Sequence, residues 1–154
     1  MLQGLYEGAR QDANAREHDI PLHELESRAR RARPVRSAVD ALSPRDRIHV
    51  ISEIKRKSPS KGDLASIDDP VALAREYEAG GASVISVLTE GRRFGGSLED
   101  LAAVSEAVSI PVLRKDFLET EYQIVEARAA GADLVLLIMA GITDERAERL
   151  LDVA

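Results

Sequence analysis

The sequence predicts an α/β protein with a parallel sheet, and three observations support that fold class. Four short runs rich in valine, isoleucine and leucine recur along the chain: IHVISEIK (48–55), ASVISVLT (82–89), IPVLRK (110–115) and ADLVLLIM (132–139). Helical segments with recognisable ends lie between these runs. One helix-to-strand segment is also repeated. Near-continuous apolar runs of this length are typical of strands that helices cover on a parallel sheet.

The ends of the predicted helices follow known capping preferences. Cap residues mark two N-termini and glycines mark two C-termini: Asp69-Pro70, Thr120 with Gln123, Gly80-Gly81, and Gly131. The resulting order is βαβαβαβα. Strands joined by helices in this way are parallel, with right-handed crossovers.

The repeat indicates a barrel. EYEAGGASVISVLT (76–89) aligns without gaps to EARAAGADLVLLIM (126–139), and each copy is a helix end, a glycine stop and an apolar strand. The two copies start fifty residues apart. This period equals two βα units, a quarter of a (βα)8 barrel of the TIM-barrel family. The repeat can also be explained by a shared solution to helix-to-strand turns, and the predicted architecture is then the same.

The length of the chain favours half of such a barrel. A complete barrel takes about 250 residues, whereas this sequence has 154. A doubly wound sheet of four strands fits the length, but it would need a nucleotide-type loop after the first strand. SPSKG (58–62) follows instead. We therefore predict one truncated domain, with an N-terminal helical extension at 1–44 and the first four βα units at 45–154.

The extension is predicted to contain two short helices within residues 3–33, separated at Pro21 and closed by Pro34. The stretch RARRARPVR (28–36) resembles a nucleic-acid-binding segment. We interpret its arginines as a solvated helix face, because the rest of the chain is acidic and has few aromatic residues.

Composition excludes several classes of function. The net charge is −6 and aromatic residues make up 3% of the chain, which argues against a nucleic-acid partner. The chain has no cysteine, which excludes disulfides, thiolate metal sites and a cysteine nucleophile. The longest apolar run, near 134–140, is too short to cross a bilayer, and the N-terminal MLQGLYEGARQD lacks the apolar stretch of a signal peptide. We expect a soluble, cytoplasmic protein without a membrane partner.

Charged residues mark the predicted carboxyl ends of the strands, where (βα)8 proteins have their active sites. Glu53 and Lys55 are two positions apart and therefore share one strand face, with Ile51 deeper on that face. Ile48, Val50 and Ile54 are predicted to face the helices. Lys115 ends the third apolar run. A structural Glu–Lys pair is the alternative interpretation, because charges that face a barrel interior are costly unless they are paired or functional.

The loop after the first strand suits an anion. EIKRKSPSKG (53–62) carries Lys55, Arg56, Lys57 and Lys61, and its turn adds two hydroxyl groups. Ser58, Ser60 and Lys61 together offer hydroxyls, exposed amides and an ammonium group, which is the chemistry that binds phosphate.

Four motifs in order resemble the indole-3-glycerol-phosphate synthase family of tryptophan biosynthesis: EIKRKSPSKG (53–62), SVLTEGRRFGGS (86–97), IPVLRKDF (110–117) and GADLVLLI (131–138). The resemblance covers residues 45–154. It implies a lyase that closes an anilino-deoxyribulose phosphate into indole-3-glycerol phosphate, with release of carbon dioxide and water. It also implies that no metal or organic cofactor is used.

The resemblance assigns roles to individual residues. Glu53 and Lys55 fall on the family's strand-one pair, whose lysine is associated with the substrate carboxylate, and Lys115 falls on the candidate general acid. Ser58 falls on a phosphate contact. Phe94 and Phe117 fall on the aromatic residues that flank the anthranilate ring, with Leu136 as an apolar wall.

The resemblance also implies missing parts. The family's second glutamate, its asparagine and its main phosphate cradle lie on strands five to eight, which this sequence does not contain. We therefore expect the isolated chain to be inactive. We also expect it to associate with a C-terminal half-barrel or with itself, because side chains expected to face the barrel interior, such as Ile51 and Val87, would otherwise face water. Two alternatives remain: a phosphate-binding barrel isomerase, which would use a strand-one aspartate or cysteine, and a self-associating half-barrel without catalysis.

Overall fold

The computed structural model describes residues 2–43 and 47–154. Three helices come first: α1 (Leu2–Asp19), α2 (Leu22–Arg31) and α3 (Ala38–Leu42). The strands are β1 (Ile51–Ile54), β2 (Lys57–Ser58), β3 (Gly62–Asp63), β4 (Val84–Leu88), β5 (Val112–Lys115) and β6 (Leu134–Val135). The remaining helices are α4 (Pro70–Ala79), α5 (Gly91–Phe94), α6 (Leu98–Ala107), α7 (Glu121–Ala129) and α8 (Asp144–Val153), with a 3-10 turn at Met139–Gly141.

The predicted parallel sheet is confirmed. Its strand order is β1–β4–β5–β6, and every neighbouring pair is parallel. This is the arrangement of four consecutive βα units on one side of a barrel. The strands are shorter than the apolar runs, and the run at 132–139 contributes only Leu134 and Val135 to the ladder. The predicted boundary between residues 44 and 45 lies outside the described residues.

The predicted helix ends are confirmed by their contacts. Asp69 accepts a hydrogen bond from the Ala72 amide, and Thr120 with Gln123 forms a reciprocal capping box. Gly81 and Gly131 have φ values of +91° and +89°, which L side chains rarely adopt. These ends fix where each chain segment turns back into the sheet.

The main core lies between the sheet and helices α4, α6 and α7. Ile54 faces this core as predicted, and Val87 lies beside it because the two residues are register partners. The expectation that Val87 faces the barrel interior, with Ile51, was wrong: Val87 is 1% exposed, whereas Ile51 is 51% exposed. Ile48 and Val50 are exposed rather than packed on helices, because β1 begins only at Ile51.

The extension differs from its prediction in length and in contacts. A break at Pro21 is confirmed, but α1 is a long helix of 18 residues and α3 was not predicted. The arginines do not all lie on a solvated face. Arg33 and Arg36 bind the fully buried carboxylate of Asp133, at 2.8 and 2.9 Å. Local spacing gave no sign of this partner, which lies about a hundred positions further along the chain.

No helix within the described ranges is both long and apolar enough to span a membrane.

Candidate active site

Glu53 lies between two lysines at the carboxyl ends of the strands. Lys55 Nζ is 2.6 Å from Glu53 Oε1, and Lys115 Nζ donates to Glu53 Oε2. Lys115 ends β5, and β4 pairs with both β1 and β5 in the sheet. All three side chains remain partly exposed, between 24% and 37%. The structure thus brings together the three residues predicted to be catalytic.

The electrostatics of this cluster favour an ionised glutamate. Burial opposes ionisation of Glu53, but the hydrogen bonds from Lys115 and Lys55 outweigh it and lower the pKa of the carboxyl group. One carboxylate therefore holds two lysine ammonium groups together. The cluster has an excess of positive charge at an open rim, which suits an anionic substrate and proton transfer to a nearby oxygen.

The loop after β1 is a small hairpin rather than an irregular loop. Ser58 pairs with Gly62 across β2 and β3, and Ser60 and Lys61 lie exposed in the turn between them. Ser58 is half-buried. The hydroxyls and the ammonium group predicted to bind phosphate are therefore presented together on one turn.

Arg56 makes structural contacts and does not act with the other cations of the segment 55–61. Its guanidinium group donates to the Asp100 carboxylate, to the Ile67 carbonyl at 3.1 Å and to the Gly95 carbonyl at 3.3 Å. The interpretation of four neighbouring cations as one anion-binding group therefore needs correction: Arg56 fixes the hairpin against the loop that follows β4.

An aromatic cluster contains both phenylalanines that are predicted to contact the substrate. Phe94 ends α5 and Phe117 follows β5, and their ring centroids are 6.1 Å apart. Tyr6 of α1 packs edge-on against Phe117 at 5.6 Å and donates its hydroxyl to the Ile138 carbonyl at 3.1 Å. Leu136 is partly buried. It lies between Val135 and Leu137, which pack against buried core residues.

Sequence reasoning missed the contribution of α1 to this cluster. A signal was present: Leu2, Leu5, Tyr6 and Ala9 have the i, i+3, i+4, i+7 spacing of one helix face, and all four pack in the cluster with Phe117. The extension therefore packs against Phe117, one of the residues predicted to flank the substrate ring.

Behind Lys115, on the opposite face of β5, lies a buried network centred on Arg114. The Arg114 side chain is 1% exposed. Its nitrogens lie 3.0 Å from Glu126, 3.1 Å from Thr89 and 3.2 Å from Asp116. A buried charge that is this fully paired holds its strand in one position, and so it fixes the backbone that carries Lys115.

The same network reaches α1 and the aromatic cluster. Glu126 also accepts from Arg16 of α1 at 2.6 Å, and Asp116 accepts from the Phe117 amide at 2.8 Å. The helical extension is thus linked through paired charges to the segment that carries Lys115 and Phe117. Sequence reasoning did not identify these partners either.

Among the residues that the structure describes, no group of three or more His, Asp or Glu side chains could hold a metal ion.

Comparison with known proteins decides the family. The sequence model of the family described as "Indole-3-glycerol phosphate synthase" matches residues 2–154. The chain belongs to the indole-3-glycerol phosphate synthase family. The match includes the helical extension, so membership extends beyond the stretch 45–154 on which the motifs lie. The match favours this family over the alternative of a different barrel isomerase.

Similar proteins carry the same name. An indole-3-glycerol phosphate synthase of Leifsonia xyli subsp. xyli is 58% identical over 153 residues, which cover 99% of this chain and 59% of the relative. One of Arthrobacter sp. is 59% identical over 148 residues, covering 94% of this chain and 54% of the relative. Indole-3-glycerol phosphate synthase 1 of Streptomyces coelicolor is 55% identical over the whole chain and 57% of its own length. The chain therefore spans just over half the length of these family members.

Proposed function

We propose that this chain supplies the first half of the active site of an indole-3-glycerol phosphate synthase, a carboxy-lyase of tryptophan biosynthesis. The substrate is 1-(2-carboxyphenylamino)-1-deoxyribulose 5-phosphate and the product is indole-3-glycerol phosphate. The observation that carries the proposal is the Lys55–Glu53–Lys115 cluster at the carboxyl ends of parallel strands. Family membership and the names of the relatives support it.

The chemistry requires a proton donor and an anchor for negative charge. In the proposed reaction, the ring carbon that carries the carboxylate attacks the ribulose carbonyl carbon, and the carbonyl oxygen takes up a proton. Carbon dioxide leaves from the ring carbon. The new hydroxyl group then takes up a proton and leaves as water, while the neighbouring carbon next to the nitrogen loses a proton to form the double bond of the indole ring. Lys115 is the proposed proton donor and Lys55 the proposed carboxylate anchor, while Glu53 holds both lysines in place before the substrate arrives.

The remaining contacts follow the shape of the substrate. Phe94 and Phe117 are proposed to flank the aromatic ring, with Leu136 as an apolar wall. Ser58, Ser60 and Lys61 are proposed to contact the phosphate group from the turn of the hairpin. The partner needed to complete the site is proposed to be a C-terminal half-barrel. A cytoplasmic location stays a prediction, supported by the absence of cysteine.

The proposal is tested on a completed enzyme, defined here as residues 1–154 continued by the remaining segment of the Leifsonia xyli relative. Purified completed enzyme is mixed with the substrate, and the release of carbon dioxide and the formation of indole-3-glycerol phosphate are measured. We expect carbon dioxide and indole-3-glycerol phosphate to form at equal rates. A folded completed enzyme that leaves the substrate unchanged contradicts the proposed function.

A further inference from the structure

Ser86 is a buried polar residue without a partner. It lies in the middle of β4 and is 3% exposed. Its hydroxyl oxygen is inaccessible to solvent, and no hydrogen-bonding partner for it exists among the described residues. A buried hydroxyl that makes no hydrogen bond destabilises the folded state, so this arrangement calls for an explanation.

The position of Ser86 points to Glu53. The two residues are register partners in the parallel pair of β1 and β4, so their side chains lie on the same face of the sheet. The residues next to Ser86 along the strand, Ile85 and Val87, face the opposite way into the helix-covered core. The unpaired hydroxyl therefore lies on the barrel-interior face, one strand away from the Glu53 carboxylate.

Glu53 has two charged partners in the structure described here. The charged groups that face its carboxylate are Lys55, which follows β1, and Lys115, from β5. From α4, the titratable hydroxyl of Tyr77 reaches only the Glu53 backbone carbonyl, at 3.5 Å. Both carboxylate oxygens are thus occupied by lysines, and Ser86 is left without a role.

Substrate binding changes that balance under the proposed function, on which this inference rests. Lys55 turns to the substrate carboxylate and Lys115 to the carbonyl oxygen. Each movement takes a hydrogen bond from Glu53, whose side chain is only 24% exposed. A carboxylate that loses its donors in such a place gains a proton more readily.

We propose that Ser86 donates its hydroxyl hydrogen to the Glu53 carboxylate when the lysines turn to the substrate. Ser86 is then a positioning residue that keeps Glu53 ionised during turnover. The hydroxyl is unpaired in the free protein because its acceptor is held by the lysines, and the bond forms only in the substrate complex.

The test separates the free enzyme from the complex. The pH dependence of kcat/KM reports groups of the free enzyme, and that of kcat reports groups of the substrate complex. In Ser86→Ala of the completed enzyme, the acid limb of kcat should move up by about one pH unit, the size expected for one hydrogen bond to a charged group. The acid limb of kcat/KM should stay in place, because the lysines hold Glu53 in the free enzyme.

Two variants serve as controls. Ser86→Thr keeps a hydroxyl group at this position, and its kcat profile should match that of the parent. Ser83→Ala removes a hydroxyl just before the start of β4, where Ser83 lies 2.9 Å from His49, and it should leave both profiles unchanged. A structure of the completed enzyme with an unreactive substrate analogue bound, which keeps the carboxylate and has a hydroxyl group in place of the carbonyl oxygen, should show Ser86 Oγ about 3 Å from a Glu53 oxygen.

Several results overturn the proposal. An unshifted kcat profile in Ser86→Ala overturns it, as does an equal shift of both profiles or a Ser86 hydroxyl that is still unpaired in the complex with the substrate analogue. Each of these results, found in an active parent, contradicts the role of Ser86 alone. An inactive parent contradicts the proposed function and this role together.

Discussion

At the scale of single residues, Glu53 organises the candidate site. Two ammonium groups repel each other at short range, and the carboxylate between Lys55 and Lys115 offsets that repulsion. The same pairing lowers the pKa of Glu53 although burial opposes it. The cluster is therefore charged and ordered before a substrate arrives, which reduces the cost of orienting the lysines in the reaction.

Replacing Lys115 tests its role as proton donor. In the completed enzyme, Lys115→Ala should lower kcat by at least about 100-fold, the scale that general acids contribute. Arg75→Ala, on the exposed face of α4, is the matched control and should retain the parent rate. Steady-state kinetics of both variants give the answer. Near-normal turnover of Lys115→Ala removes this residue from the mechanism.

The hairpin turn should bind phosphate weakly. Ser60 and Lys61 are exposed and only Ser58 is half-buried, so water competes for the anion. We expect a Kd near 1 mM, about −4 kcal/mol. NMR titration of the 154-residue chain with inorganic phosphate measures it, with Lys61→Ala as the variant that weakens binding and Arg31→Ala as the control. Amide signals of this turn that do not move in high phosphate rule out the assignment.

At the scale of elements, the sequence predicts the local structure of each helix and strand but not the contacts between residues that are far apart in sequence. The apolar runs, the Thr120–Gln123 capping box and the glycine stops are properties of neighbouring residues, so the sequence was sufficient to predict them. Asp133 was missed because its partners Arg33 and Arg36 come from a segment far away in sequence. The spacing of residues along the sequence indicates on which face of a helix or strand a residue lies, but not which distant residue packs against that face.

The same limit applies to the candidate site. The sequence predicts that one rim of the sheet carries Glu53, Lys55 and Lys115, because the carboxyl ends of parallel strands lie at the same edge. This is a consequence of topology. The pairing of Arg114 with Glu126, and of Glu126 with Arg16, depends on how α1 and α7 pack. No periodicity in the sequence encodes that packing. Val87 was misplaced for a related reason: the register between strands, and not the apolar pattern, decides its face.

Asp133 should be a stabilising contact of the extension. Burial opposes its ionisation, but hydrogen bonds from Arg33 and from the amides of Arg36 and Val112 outweigh it and lower the pKa. In the completed enzyme, Asp133→Asn should reduce the free energy of unfolding at pH 7 by about 3 kcal/mol, because a buried ion pair loses one partner. Urea unfolding of variant and parent measures the difference.

The pH dependence of that loss has a definite sign. Because the folded-state pKa of Asp133 is lowered, its stabilisation is complete above the unfolded value of about 3.9 and is lost as the pH falls through the folded value. The gap between parent and Asp133→Asn should be equal at pH 7 and pH 5 and should shrink below about pH 4. Arg28→Ala, in an exposed pair with Glu24, should cost less than about 0.5 kcal/mol. An Asp133→Asn variant as stable as the parent contradicts this account.

At the scale of the whole molecule, the described sheet has two open edges. Within the described residues, β1 pairs only with β4 and β6 only with β5. Unpaired strand edges are prone to association. Ile51 is half exposed at one edge, whereas Val84 and Leu88, which lie on the same face of the sheet, are buried. Edge pairing, more than apolar area, is therefore the expected cause of association.

We predict that the isolated 154-residue chain forms dimers or larger species. Self-pairing of two copies would satisfy the free amides and carbonyls of both edges and would cover Ile51. Sedimentation or light scattering at high micromolar concentration measures the mass, and dilution should shift it toward the monomer. A chain that is monomeric at every concentration would contradict the claim that the open strand edges cause association, but it would not affect family membership.

Turnover with and without a C-terminal half-barrel tests the central claim most directly. Groups that act as a unit lose most of the rate when any one of them is absent. Residues 1–154 alone should therefore give no indole-3-glycerol phosphate. Mixing with the separately made remaining segment of the Leifsonia xyli relative should start turnover, and the same mixture with Lys115→Ala should remain at least about 100-fold slower. Turnover by residues 1–154 alone, or a stable complex of the two halves that leaves the substrate unchanged, would contradict the account.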